Sequence, residues 1–224
     1  MSFDETVAIS VNIKCQAFDK YTISIKEFSS ENDEELRDSI GTAMCIYVRR
    51  EIRSLTETDL DNMLDAMYTL WSVDEKEGQE LYGVDYHSAS YFLNIHHFNA
   101  AWQDADHIHE GNGFMAQHIK MTNIFEASMQ SINPAVAIPY WDFTIESAMG
   151  LLPYQSFIAS DDVFGSMTVP KDITWGYTAA NDIIIGAAIP DGRWAFLKAD
   201  LNLIYPVLNY GYGYMRAPWN MNPR

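Results

Sequence analysis

His109-Glu110-Gly111-Asn112-Gly113-Phe114-Met115-Ala116-Gln117-His118 is the stretch on which the reading of this chain turns. His118 opens a run of helical spacing through Ile119, Thr122, Phe125, Met129 and Ile132, and Asn133-Pro134 stops it, so a helix is expected from Phe114 to about Ile132. His109 lies on the far side of the Gly111-Asn112-Gly113 break. A loop histidine in that place can fold back over the helix start and share a metal with His118. The surroundings strengthen the reading. All six histidines of the chain, His87, His96, His97, His107, His109 and His118, fall between positions 87 and 118. Imidazole is the commonest protein ligand for copper, zinc and iron, so the cluster points to a metal site.

Composition sets the outer limits. The chain has 224 residues, of which 48% are hydrophobic and 13% aromatic, enough for one medium domain with a sizeable core. The net charge of −17 argues against nucleic acid or an anionic membrane surface as partner, because both require a basic face. No apolar run reaches the length of a membrane span; Ile183 to Ile189 comes nearest. Met1-Ser2-Phe3-Asp4-Glu5-Thr6 lacks the basic and apolar regions of a secretion signal, which leaves the compartment open, leaning to a secreted or lumenal one. Cys15 and Cys45 are equally compatible with one disulfide and with two buried thiols.

The N-terminus alternates as strands do, through Val7, Ile9, Val11 and Ile13 and again through Tyr21, Ile23 and Ile25. Two short strands joined around Phe18-Asp19-Lys20 are expected. A polar stretch from Ser29 to Asp38 then runs into a helix predicted from Glu35 to Arg53 on the spacing of Ile40, Ala43, Met44, Tyr47 and Val48. Thr56 is a helix cap with Asp59 three residues on, followed by a core stripe of Leu60, Met63, Leu64, Met67 and Leu70. Glu75 to Leu81 reads as a short helix before Gly83. Val136 to Trp141 reads as extended. Beyond Thr144 the prolines, glycines and aromatics predict irregular structure wrapped on a helical core.

Taken in order, His109, His118, Phe125-Glu126, Gln130, Asn133-Pro134 and Pro139-Tyr140-Trp141-Asp142-Phe143 resemble the first copper half-site of tyrosinases and related type 3 copper proteins. Asp161 to Gly165, Asp191-Gly192-Arg193-Trp194 and Arg216 to Asn220 resemble segments between the two half-sites of that family. The resemblance covers roughly residues 40 to 224. It implies a mainly α fold, a helical bundle with long irregular loops, here preceded by a short β-rich segment. The division expected is a β-rich segment over 1–34 and, over 35–224, the N-terminal portion of a tyrosinase-like domain. The resemblance also implies copper held by three histidines, dioxygen as co-substrate and phenols or catechols as substrates. In the family an earlier histidine completes the first set. His97 is the first choice here, with His96 and His107 as possible substitutes; on a helix, neighbours point about 100° apart, so one of His96 and His97 should face the metal. His87 is expected to be structural or solvent-exposed. Glu126 is expected to pair with Arg49 or Arg53, and Trp141 and Asp142 to pack beneath the metal helices.

The sequence departs from the family pattern in two places. Gln117-His118-Ile119 stands where the family has Trp-His-Arg, and no histidine follows His118 to build the second copper site. Met215 and Met221 are soft ligands, but thioether alone does not rebuild such a site. The sequence closes at Asn222-Pro223-Arg224, about where the second half-site is expected to begin. Three readings follow. The chain is the first half of a copper oxidase completed by another protein chain or by a C-terminal remainder, across a large interface. Alternatively it is a degenerate relative serving as a structural or interaction module. In the third reading its histidines hold a single copper or zinc without dioxygen chemistry.

Overall fold

The computed structural model describes residues 18–100, 104, 106–167, 174–177, 183–185 and 189–197. Two compact units divide between Val48 and Arg49.

In the first unit, β1 (Lys20–Phe28) and β2 (Glu35–Met44) form an antiparallel hairpin whose register runs from Lys20 opposite Met44 to Phe28 opposite Glu35. The turn is closed by the Ser29 N–H donating to the Glu34 carbonyl at 2.8 Å, with Asp33 at φ 59°, a backbone region that aspartate tolerates. Lys26 pairs with Glu35 at 2.8 Å across the strands. This hairpin corrects two expectations. No helix starts at Glu35: the spacing of Ile40, Ala43, Met44, Tyr47 and Val48 suggested one, but Ile40 and Met44, four apart, fit a strand face as well as a helix face. Pairing with β1 decides between them. The partner of β1 also follows it in the chain, so Phe18-Asp19-Lys20 is not the link between paired strands described here; the strand expected over 7–13 lies outside the described residues. Cys45 is disulfide-bonded, and Cys15 lies outside the described residues.

The second unit is built on helices. Thr56 caps α1 (Glu57–Ser72) by accepting from the Asp59 N–H at 3.1 Å, and Glu57 and Asp59 in the first turn suit the helix dipole. Met63, Leu64, Ala66 and Leu70 are buried, while Leu60 and Met67 flank them half-buried. α2 (Glu75–Tyr82) is capped by Asp74 and ends at Gly83, φ 95°. α3 (Ala89–Ala100) and α4 (Gly113–Ile132) both pack on α1. The chain is thus mainly α, with small two-stranded sheets, the second being β3 (Thr174–Tyr177) with β4 (Ile183–Ile185). Among the described residues, no helix is long and apolar enough to cross a membrane.

The irregular segments are tied down by specific groups. Residues after α4 run beside the approach to α1, with the Ile52 N–H donating to the Tyr140 carbonyl and the Tyr140 N–H to the Arg50 carbonyl, both at 2.9 Å. Trp194 is buried against Tyr68 and donates from its indole to the Val163 carbonyl at 2.7 Å. Gly192 (φ 69°) sits so close to the Asp161 carbonyl that a Cβ would lie 2.1 Å from the oxygen, which explains a glycine there. α5 (Phe143–Met149) follows its Asp142 cap and holds Glu146 in the interior. Glu146 accepts from Ser156 Oγ at 2.6 Å, from Trp141 Nε1 at 3.1 Å and from Arg53.

Two outcomes test this packing. Alanine is a better helix former than glycine by about 1 kcal/mol, yet at Gly78 its Cβ would stand 1.9 Å from the fully buried Tyr86 ring. Gly78→Ala is therefore expected to lower unfolding free energy in urea by about 1–3 kcal/mol, the usual cost of overpacking. The Ser156 hydroxyl, and after it Arg53 and Trp141, hold the Glu146 carboxyl down from 4.5 to about 2 against the opposing effect of burial. A carboxyl depressed on folding stabilises fully above its unfolded value, and that part is lost as pH falls from about 4.5 towards about 2. Urea midpoints of the native chain should fall across that window, whereas Glu146→Gln should start lower at neutral pH and lose less over the same range.

Candidate metal centre

The site forms where the last turns of α3, the loop from Asp106 to Gly111 and the first turns of α4 meet. Ile108 fixes the loop. It is 1% exposed, while its neighbours His107 and His109 are exposed, as alternation in an extended segment requires. The His107 N–H donates to the Asn99 carbonyl at 2.9 Å and joins the loop to the end of α3. Gly111 (φ 74°) turns the chain into α4, as the glycine break implied. α4 begins at Gly113, so His118 lies in its second turn rather than at its opening.

Three histidines converge. His96, His109 and His118 offer ring nitrogens that all lie within 4.8 Å of one another. His96 Nε2 stands 3.0 Å from His109 Nε2. His109 Nδ1 is held by Asp106 Oδ2 at 2.6 Å, and His118 Nδ1 by the Phe114 carbonyl at 2.8 Å. Both rings thereby leave Nε2 to the shared space, the arrangement by which partners of ligating histidines orient them. Nitrogens about 2.0–2.1 Å from one ion in tetrahedral geometry are about 3.4 Å apart, so ring adjustments of about 1 Å bring this group to ligand spacing. Burial lowers the His96 pKa first, followed by the nearby His109, His97 and His118 rings, which favours the neutral imidazole that a metal requires. Phe114 packs on His118 with ring centroids 4.4 Å apart.

Of the two neighbours on α3, the structure places His96 with the other pair. His97, the first choice from sequence, is turned away by the helix and is not part of the group; its Nδ1 is buried with no hydrogen-bond partner among the described residues. Ala89 and Phe92 are the buried positions of α3, and His96 follows Phe92 by four residues on nearly the same stripe. That phase was the available signal. His107 is exposed and also outside the group. His87 is structural in its contacts: Nδ1 meets Glu75 Oε1 at 2.7 Å, the ring stacks on Tyr91 at 3.9 Å, and its N–H donates to Ser128 Oγ.

The supporting groups are mostly as read. Arg49 and Glu126 pair in two-pronged fashion at 2.6 and 3.1 Å, and Glu126 also accepts from the Ile138 N–H at 2.9 Å, which fastens α4 to the extended segment. Trp141 donates to Glu146 and Asp142 caps α5, so both secure α5 rather than a histidine. Asp106 is the residue the sequence reading missed; an acid three positions before a candidate ligand histidine was its signal. Burial would raise its pKa, but hydrogen bonds from the His109 ring and from the backbone N–H groups of His109 and Ile108 hold it down to about 2.

Residues 86–195 match the family model described as the common central domain of tyrosinase. Over that stretch the chain is tyrosinase-like, as its motifs implied, and the family is one of copper oxidases. No curated protein gives a significant match to the chain. The family implies copper, and the three-histidine group is compatible with it.

Ile108 carries the position of the loop. Ile108→Ala is expected to cost about 2–5 kcal/mol in denaturant unfolding and to raise amide hydrogen exchange across residues 106–111 before it does so in α1.

Proposed function

We propose that this chain is the copper-binding half of a tyrosinase-like oxidase of phenols or catechols, with His96, His109 and His118 as the ligands of one copper. The convergence of these three rings, two of them fixed through Nδ1, is the observation that carries the reading. Copper bound there would supply one-electron redox chemistry and an affinity for dioxygen. The chain's own part is to present three imidazole rings, keep His109 and His118 oriented, and shield one side with Phe114. The chain has six histidines, and the two remaining near the group, His97 and His107, stand outside it. A second copper therefore needs ligands from another protein chain or from a C-terminal remainder. Phe98, Phe114, Met115 and Ile119 are 46%, 40%, 63% and 53% exposed on α3 and α4, and this apolar margin supports such a completing surface.

A second reading rests on that same count of histidines: a tyrosinase-like module that keeps the fold and serves as an interaction surface. Copper titration followed by elemental analysis separates the two. The oxidase half-site should hold one copper per chain, lose affinity at least about tenfold in His96→Ala and keep it in His97→Ala. Loss in His97→Ala with retention in His96→Ala would reassign the ligand. No copper bound by the native chain would leave the module reading.

A further inference from the structure

We infer that Asp106 is a positioning residue for the metal centre, fixing His109 as the tautomer that carries its proton on Nδ1 and aims the Nε2 lone pair at the shared space. The inference rests on the reading of His96, His109 and His118 as a ligand set. Asp106 uses its two oxygens for two tasks. Oδ1 accepts from the backbone N–H groups of Ile108 at 3.0 Å and His109 at 2.9 Å, which fixes the loop. Oδ2 meets His109 Nδ1 at 2.6 Å. A carboxylate offers only acceptors, so Nδ1 must donate and Nε2 must be unprotonated in the neutral ring.

The consequence reaches His96. Two ring nitrogens 3.0 Å apart cannot both present lone pairs to each other. Because Asp106 assigns the lone pair at that contact to His109, His96 is the donor, with its proton on Nε2. His118, its Nδ1 on the Phe114 carbonyl, is already in the tautomer that presents Nε2. Metal capture then asks for a proton rearrangement at His96 alone. Two of the three ligands are set beforehand, one by a backbone carbonyl that no substitution removes and one by Asp106.

Asp106→Asn isolates this role. The amide oxygen can still accept from the Ile108 and His109 N–H groups, so the loop keeps its turn, while the amide nitrogen can only donate towards His109 Nδ1. The proton must then sit on Nε2, where the metal would bind. The test is nitrogen NMR of ring-labelled histidines in the metal-free chain, paired with competition titration of Zn²⁺, a diamagnetic probe for three imidazoles. In the native chain His109 should be the Nδ1–H form; in Asp106→Asn it should become the Nε2–H form, with unchanged far-ultraviolet circular dichroism and zinc affinity reduced about 10–100-fold. Glu110→Gln, on the exposed neighbour of His109, should leave both readouts unchanged. The same His109 tautomer in both proteins, or unreduced zinc affinity after a tautomer change, overturns the inference. If the native chain binds neither zinc nor copper, the metal reading falls, and the tautomer measurement on the metal-free chain still decides the role of Asp106.

Discussion

The packing of α4 on α1 is the constraint on which the site depends. Met129 and Ser128, near the C-terminal end of α4, are fully buried, and Met129 joins the core cluster with Met63, Leu64 and Leu70 of α1. The N-terminal half of α4 is mostly exposed. From Met129 back to His118 is three turns, about 16 Å at 1.5 Å per residue. The helix is thus held at one end and projects its histidine from the other. A rigid helix serves this well, because the orientation set in the core is carried to His118 without a flexible joint. Glu126 reinforces the held end through Arg49 and the Ile138 N–H.

The other two histidines of the group reach the same point by different means. His96 rides on α3, on the stripe that Phe92 buries. His109 sits on a loop, where position is less well determined, and the loop has correspondingly more anchors: Ile108 in the interior, the His107 N–H on α3 and Asp106 across the turn. Fixing a ligand on a loop needs several independent contacts, each removing a degree of freedom that a helix would have removed through its own backbone.

Charge is arranged on the same plan. Glu126 and Glu146 each sit at least half out of water and each is met by an arginine and further donors, so that neither carboxylate is left as an isolated buried charge. Both join a helix to the extended segments that wrap it. Other acidic groups lie on exposed surface, as on the outer face of α1, where Asp61 and Asp65 meet Arg193.

Local chemistry made much of this legible in the sequence. The Thr56 cap, the stripe of α1, the stop at Asn133-Pro134 and the glycine break before α4 follow from short-range rules, and the structure agrees with each; of the two arginines open to Glu126, folding selected Arg49, 77 positions away. The ordered residues from His109 to Phe143 carried the family likeness. Three matters waited for the tertiary structure. Ile40 and Met44 satisfied two periods at once, and only a paired strand selected one. His96 and His97 are adjacent and chemically identical, so the rotation of α3 against its neighbours decided which ring meets His109. Asp106 gained its role only when the loop folded to bring its carboxylate to Nδ1 of His109. Sequence supplied the histidines and their spacing, because these are covalent facts along the chain; the folded packing chose among equivalent side chains, because direction in space is not written in any one residue.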